Sequence, residues 1–292
     1  MGTHKPTPNL EASGNQRTDV SRIVSILQRK QADSPRLVPH EEDVAVLVRD
    51  TGDTWQIVLQ TDHADLSGQF VRAWSPRPEP YRSLEIVASR HDDGWAVWER
   101  APGLDGEGRP RNFLDVQVPS HLAFYRAAIQ AITDHDPYAG LLLSMHGAGI
   151  YNGRYGTQPD LKLTFADDVQ GLVNAFVQEQ EAGFQARIAA LGVPGDERWR
   201  NYALLQVWDR FSLYFCLRDA EGGEAAEIAE YRLEPLGQWR ISIDPFPFAE
   251  SPAEFTLLRR LVTKRRWADD DEFRRDFFAA RLEPAMISVE RP

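Results

Sequence analysis

His63, the dipeptide His91-Asp92 and Asp209 have the residue types and the order of a metal-binding set: two imidazoles and two carboxylates from three separate stretches of chain. Neutral imidazole with carboxylate suits borderline and hard divalent ions, here Mn, Fe, Co, Ni, Zn or Mg, more than calcium. Such an ion lowers the pKa of a bound water and polarises a phosphoryl oxygen, which is the chemistry of a metal-dependent hydrolase. His146 falls between the dipeptide and Asp209 in the chain and adds a third imidazole, read as a group beside the site that handles protons. Asp93 is a second candidate for proton transfer. Arg90, Arg154 and Arg210 are candidates for neutralising a small anionic substrate, and Trp95 or Trp98 for stacking on a ring.

Each residue also has a plainer reading. An isolated His-Asp pair is most often a core histidine followed by a polar turn. A carboxylate at Asp209, on the stripe Tyr202, Leu205, Asp209, Ser212, Cys216, is expected to be buried and so needs a partner. That partner is either a metal ion or an arginine such as Arg72 or Arg90. His146 lies in an apolar run with Gly147 and Gly149, where a lone histidine is commonly structural and glycine permits close backbone approach.

The positioning elements follow from periodicity. Alternation at Val44, Val46, Val48 and at Trp55, Ile57, Leu59, around Asp50-Thr51-Gly52-Asp53, predicts a β-hairpin. Helical spacing then predicts a helix from Asp62 to Trp74, capped by Thr61 and carrying His63 on its apolar stripe. A second helix is expected from Ser83 to about Asp92, which puts the dipeptide at a helix end that Gly94 terminates. Neighbouring side chains on a helix diverge by about 100 degrees, but a fraying end lets both turn to one ion. The macrodipole disfavours Asp92 and Asp93 there by roughly 0.3 to 1 kcal/mol each, and a bound cation reverses that.

Residues 101–119, rich in Gly, Pro and Asp, are long enough for a lid. Further helices are expected from Ser120 to Thr133, Phe165 to Leu191 and Glu197 to Asp219, with an apolar segment from Tyr138 to Ile150 carrying His146. Extended segments return at Tyr231 to Leu233, Trp239 to Ile243, Phe255 to Thr263 and Met286 to Val289, with a short helix from Asp270 to Leu282. The fold class expected is α+β: a central helical bundle with an antiparallel sheet built from the N-terminal hairpin and the C-terminal strands. Residues 1–42 are read as a flexible extension and 43–292 as one domain.

Composition narrows the partners. The net charge of −11 argues against a nucleic-acid polymer or an anionic membrane surface, while a small anion held by a metal stays possible. The single cysteine, Cys216, excludes an internal disulfide; with no apolar run of membrane-spanning length and no secretory stretch, a cytoplasmic location is expected. No phosphate-binding Gly-Lys-Ser/Thr loop, Gly-x-Gly-x-x-Gly turn or Gly-x-Ser-x-Gly elbow occurs. The basic run Arg259, Arg260, Lys264, Arg265, Arg266 reads as a solvated face.

Asp62-His63-Ala64-Asp65-Leu66, Arg90-His91-Asp92-Asp93-Gly94 and Trp208-Asp209-Arg210-Phe211-Ser212 resemble, in order and setting, the metal-binding motifs of the HD-domain superfamily of metallohydrolases. More narrowly, these stretches and Ser144-Met145-His146-Gly147 resemble the bacterial domain-of-unknown-function family 3891, over about Val44 to the C-terminus. The superfamily resemblance implies a helical metal site, with His63, His91, Asp92 and Asp209 as ligands, and hydrolysis of phosphate esters of nucleotides or related metabolites. The narrower family implies no known activity. Trp95 stands where many HD hydrolases place a lysine, which removes a phosphate contact. Two rivals to the phosphohydrolase follow: an HD-type di-iron oxygenase, drawing extra ligands from His121, His135 and His146, and a non-catalytic module that retains the metal.

Overall fold

The computed structural model describes residues 46–153, 165–218 and 225–292. The expected extension over residues 1–42, with His4 and His40, and the candidate Arg154 lie outside the described residues. Among the described residues are seven α-helices and seven strands: β1 (Leu47–Asp50), β2 (Thr54–Val58), α1 (Gln60–Ala73), α2 (Tyr81–Arg90), α3 (Val118–His135), α4 (Pro137–Asn152), α5 (Asp167–Leu191), α6 (Gly195–Leu217), β3 (Ala226–Ile228), β4 (Tyr231–Gly237), β5 (Arg240–Asp244), β6 (Ala253–Thr263), α7 (Asp270–Ala279) and β7 (Leu282–Glu290). The α+β class is as expected, and both chain ends contribute to one sheet of order β1-β2-β6-β7-β5-β4-β3.

The long strand β6 joins the two halves. Its last residues pair with β2, Thr54 opposite Thr263, and it pairs with β7 from Ala253 opposite Val289 to Arg260 opposite Leu282. The sheet is mixed where an antiparallel one was expected, because β7 inserts between β6 and β5 and runs parallel to β5. The hairpin turn forms as read: Gly52 adopts φ 87° and Asp50 accepts its amide at 2.9 Å. Val58 belongs to the main core beneath the helices, whereas its neighbour Ile57 packs in a second cluster with Val262, Trp267, Phe273 and Phe277. Period-2 alternation therefore gives the sheet two covered faces at this end.

The helices start earlier than their polar residues suggest. Leu59, Pro80 and Gln117 precede α1, α2 and α3 without any side-chain cap, so Thr61 does not cap α1 as expected and α3 starts before Ser120. For α1 the missing acceptor comes from far along the chain, as described below. The face of α1 that carries His63, Leu66, Phe70 and Val71 is buried at helical spacing. Phe70 meets Phe255 of β6 at 4.8 Å and Phe211 of α6 at 5.9 Å between ring centroids, so one side chain ties three elements together. Burial of such a ring contributes roughly 1.5–3 kcal/mol. On the half-exposed side of α1, Gln69 grips the β6 backbone twice, donating to the Thr256 carbonyl and accepting its amide, each at 2.8 Å.

Residues 101–119 are not free to act as a lid in the manner expected. Leu104 N–H bonds Asp270 at 2.8 Å, Arg274 bonds the Pro102 carbonyl at 3.1 Å, and Val46 donates its amide to the Arg111 carbonyl and accepts that of Phe113. The basic run is likewise committed. Arg259 bonds Gln56 at 2.7 Å, Arg260 the Ala280 carbonyl, Lys264 the Asp50 carboxylate, and Arg265 both Asp276 and Glu272.

Candidate metal centre

Three close helix approaches bring the histidines together. At Gly68 the backbones of α1 and α2 are so near that a Cβ would lie 2.5 Å from the Cβ of Ser89. At Gly147 of α4 a Cβ would meet the Tyr125 ring of α3 at 2.8 Å, as the glycine of the His146 run suggests. Gly94 has a different role from the one expected. It does not stop α2 with a left-handed turn; a Cβ there would run into the Phe124 backbone of α3, so the missing side chain lets the segment after His91 press against that helix.

His91 is the C-cap of α2, and Asp92 follows it with φ −107° and ψ 15°, out of the helix. The bend at the helix end does what the sequence reading required, turning adjacent side chains toward one point. His91 Nε2 lies 3.1 Å from His63 Nε2, and Asp92 Oδ2 lies 3.1 Å from His63 Nε2 and 3.6 Å from His91 Nε2. Asp209 Oδ1, from the middle of α6, is 3.5 Å from each of the same two nitrogens. His63, His91 and Asp209 thus offer ligand atoms all within 4.8 Å of one another.

Hydrogen bonds fix which nitrogens face inward. His91 Nδ1 is 2.9 Å from the Ala88 carbonyl, which only accepts, so Nδ1 carries the proton and Nε2 of the neutral ring keeps a lone pair. His63 Nδ1 is 2.6 Å from Ser212 Oγ, and Ser212 spends its only proton on the Asp209 carbonyl at 2.7 Å. His63 therefore donates from Nδ1 as well, and its Nε2 is a second inward lone pair. With both rings neutral, two imidazole lone pairs face the carboxylates of Asp92 and Asp209, an arrangement that suits a bound cation.

The spacing fits an ion. Ligands at about 2.0–2.2 Å from a metal are separated by roughly 3.0 Å in octahedral and 3.4 Å in tetrahedral geometry. The observed edges of 3.1 to 3.6 Å fall about that range.

A proton answers part of the same need. Burial opposes charge on His91, but Asp92 and the hydrogen-bonded Asp209 outweigh it and lift the imidazolium to about 9. Burial would raise the carboxyls of Asp92 and Asp209, yet the facing histidines hold both below the ordinary range. The imidazoles are sealed, with 1% of each side chain exposed, while Asp92 and Asp209 keep 9% and 8%. What solvent access there is comes from the carboxylate side.

The other candidates fall into two groups. His146 is buried, its Nε2 3.9 Å from Asp209 Oδ2 and its ring 5.6 Å from that of His91; burial lowers it to about 4, so it is neutral at ordinary pH. Arg210 is buried next to Asp209 on α6. Arg90 and Asp93 are bonded to each other at 2.7 Å and are partly exposed. Arg72 pairs with Glu85 at 2.7 Å, so neither arginine considered as a partner for Asp209 is engaged with it in an ion pair. Trp95 and Trp98 pack on Phe124 at 4.7 and 4.9 Å, and Trp95 is buried, its stacking face occupied by the protein.

His121, considered as an extra ligand for a di-iron site, is half-buried; it bonds Tyr151 Oη and stands against Trp95 and Tyr125. His135 is exposed at the end of α3, away from the set. The sequence reading missed Ser212 as the partner of His63, although it lies on the Asp209 stripe. It also missed Glu99, which carries no spacing signal.

A family match spans residues 46–264 and covers both histidines, both aspartates and His146. The chain belongs to the DUF3891 family, proteins of unknown function. The match takes in α1 to α6 and ends just past β6. No curated protein and no solved structure matches the chain.

Proposed function

We propose that this DUF3891 protein is a metal-dependent hydrolase whose ion is held by His63, His91, Asp92 and Asp209. The observation that carries the reading is the pair of inward Nε2 lone pairs, 3.1 Å apart and fixed by Ala88 and Ser212, facing two carboxylates in a buried setting. A divalent ion there supplies an activated water and an electrophile for a phosphoryl oxygen. The substrate class is a small phosphorylated metabolite or nucleotide, which approaches from the slightly open Asp92 and Asp209 side. Buried Arg210 serves as counter-charge, and neutral His146 beside Asp209 accepts a proton from the attacking water. Asp93 and Arg90 set the charge at the rim.

The family match is to DUF3891 and links the chain to no HD-domain family; the reaction class is drawn from the order of the three motifs, which resembles that of the HD-domain hydrolases. The test is elemental analysis of purified protein, followed by a screen of phosphomonoesters, cyclic nucleotides and nucleoside triphosphates with added Mn²⁺. Turnover lost in Asp209→Ala supports the reading. A metal-loaded protein inert to the whole panel would count against hydrolysis and leave the di-iron oxygenase and the non-catalytic module.

A further inference from the structure

The short run that begins at His91-Asp92 ends at a second acid. Trp95 N bonds the Asp92 carbonyl at 3.0 Å, Ala96 N the Asp93 carbonyl at 3.1 Å, and Trp98 and Glu99 N the Trp95 carbonyl at 2.8 and 3.0 Å. These successive tight turns deliver Glu99, 5% exposed, to the start of α1. There one carboxylate oxygen accepts the Gln60 amide and the other the Thr61 hydroxyl at 2.8 Å. Leu59, the residue before α1, offers no side-chain cap, so Glu99 takes the place of one. His63 follows within the same turn of helix, its amide bonded to the Leu59 carbonyl.

We infer that Glu99 is the positioning residue of the metal centre: it clasps the segment carrying His91 and Asp92 to the helix carrying His63 and so fixes the gap the ion bridges. The inference rests on the proposed metal site and adds to it a residue that touches no ligand. A buried carboxylate costs desolvation, and burial indeed pushes Glu99 up to about 7 against the opposing bonds from Thr61 and Gln60; Asp62 and Asp92 add repulsion. An acid placed among acids is a poor way to stabilise a fold. It is a good way to set a distance, because a carboxylate offers two acceptors in a fixed fork.

The experiment compares Mn²⁺ and Zn²⁺ affinity, by competition with a chelator, in the full chain and in Glu99→Ala, Glu99→Gln and Thr61→Val, with circular dichroism to check folding. Glu99→Ala is expected to weaken binding about tenfold or more, the size usual for groups that orient ligands. Glu99→Gln keeps an acceptor for the Gln60 amide and a donor for Thr61, and is expected to stay within about threefold of the parent. Equal affinity in Glu99→Ala and the parent overturns the inference while leaving the metal site standing. Equal weakening by Glu99→Ala and Glu99→Gln overturns the clasp as well. If Glu99→Ala does not fold, Thr61→Val removes one leg alone, and parental affinity in it counts against the role. A parent chain that binds neither ion removes the metal site and this inference together.

Discussion

Ser212 Oγ lies 2.6 Å from His63 Nδ1 and gives its own proton to the Asp209 carbonyl, so one hydroxyl on α6 sets the tautomer of a histidine on α1. The residue that orients one candidate ligand sits three positions from another on the same helix. Ser67 closes the group, its Oγ 2.9 Å from Ser212 Oγ and 3.3 Å from the His63 carbonyl.

Ser212→Ala removes that acceptor and frees His63 to take the other tautomer. Metal affinity is expected to fall about 10- to 100-fold with the fold retained. Isothermal titration with Zn²⁺ reads this directly, and unchanged affinity would show that Ser212 does not orient the ring.

Asp209→Ala and His91→Ala each delete a ligand atom from the trio within 4.8 Å. Both are expected to lower bound metal to a tenth or less of the parent's, measured by elemental analysis after dialysis. Full occupancy in His91→Ala would remove it from the set. Asp209→Ala should also destabilise the metal-free protein, since it leaves a raised imidazolium with one fewer counter-charge.

Proton and metal compete for His91. In the metal-free protein its pKa is raised from 6.5 to about 9, so its contribution to stability is fully present below about 6.5 and fades as pH rises through 9. Metal binding must displace that proton, so apparent affinity should climb up to about tenfold per pH unit across that window. A metal-buffered titration from about pH 6.5 to 8.5 follows the slope, and a flat profile would mean that His91 binds no proton there.

Gly94→Ala places a methyl against the Phe124 backbone, which cannot rotate away as a side chain would. Overpacking of this kind costs about 1–3 kcal/mol, and thermal unfolding should show it. The displaced segment carries Asp92, so metal affinity should fall in step. A variant as stable as the parent would mean that α3 yields easily at this point.

Much of this was legible in the sequence. Periodicity showed the hairpin, α1 with His63 inward, and the apolar stripe of α6 with Asp209 on it, because burial and period are local properties of a chain. The order of the motifs brought out His63, His91 and Asp209, which the fold gathers within 4.8 Å, before any geometry. The parallel pairing of β5 with β7 was hidden, since no local pattern records which strand inserts between two others. Helix starts were misplaced for a related reason: the acceptor at the head of α1 is Glu99, distant in sequence. The role of Gly94 was misread because a close approach and a helix stop call for the same residue.

Gln69 holds α1 to Thr256 on β6, a strand that emerges almost two hundred residues after His63. During synthesis the helix that carries His63 must therefore wait for that strand before this anchor exists. A nascent chain halted before Ala253 would contain all four candidate ligands yet lack the strand that steadies the helix of His63.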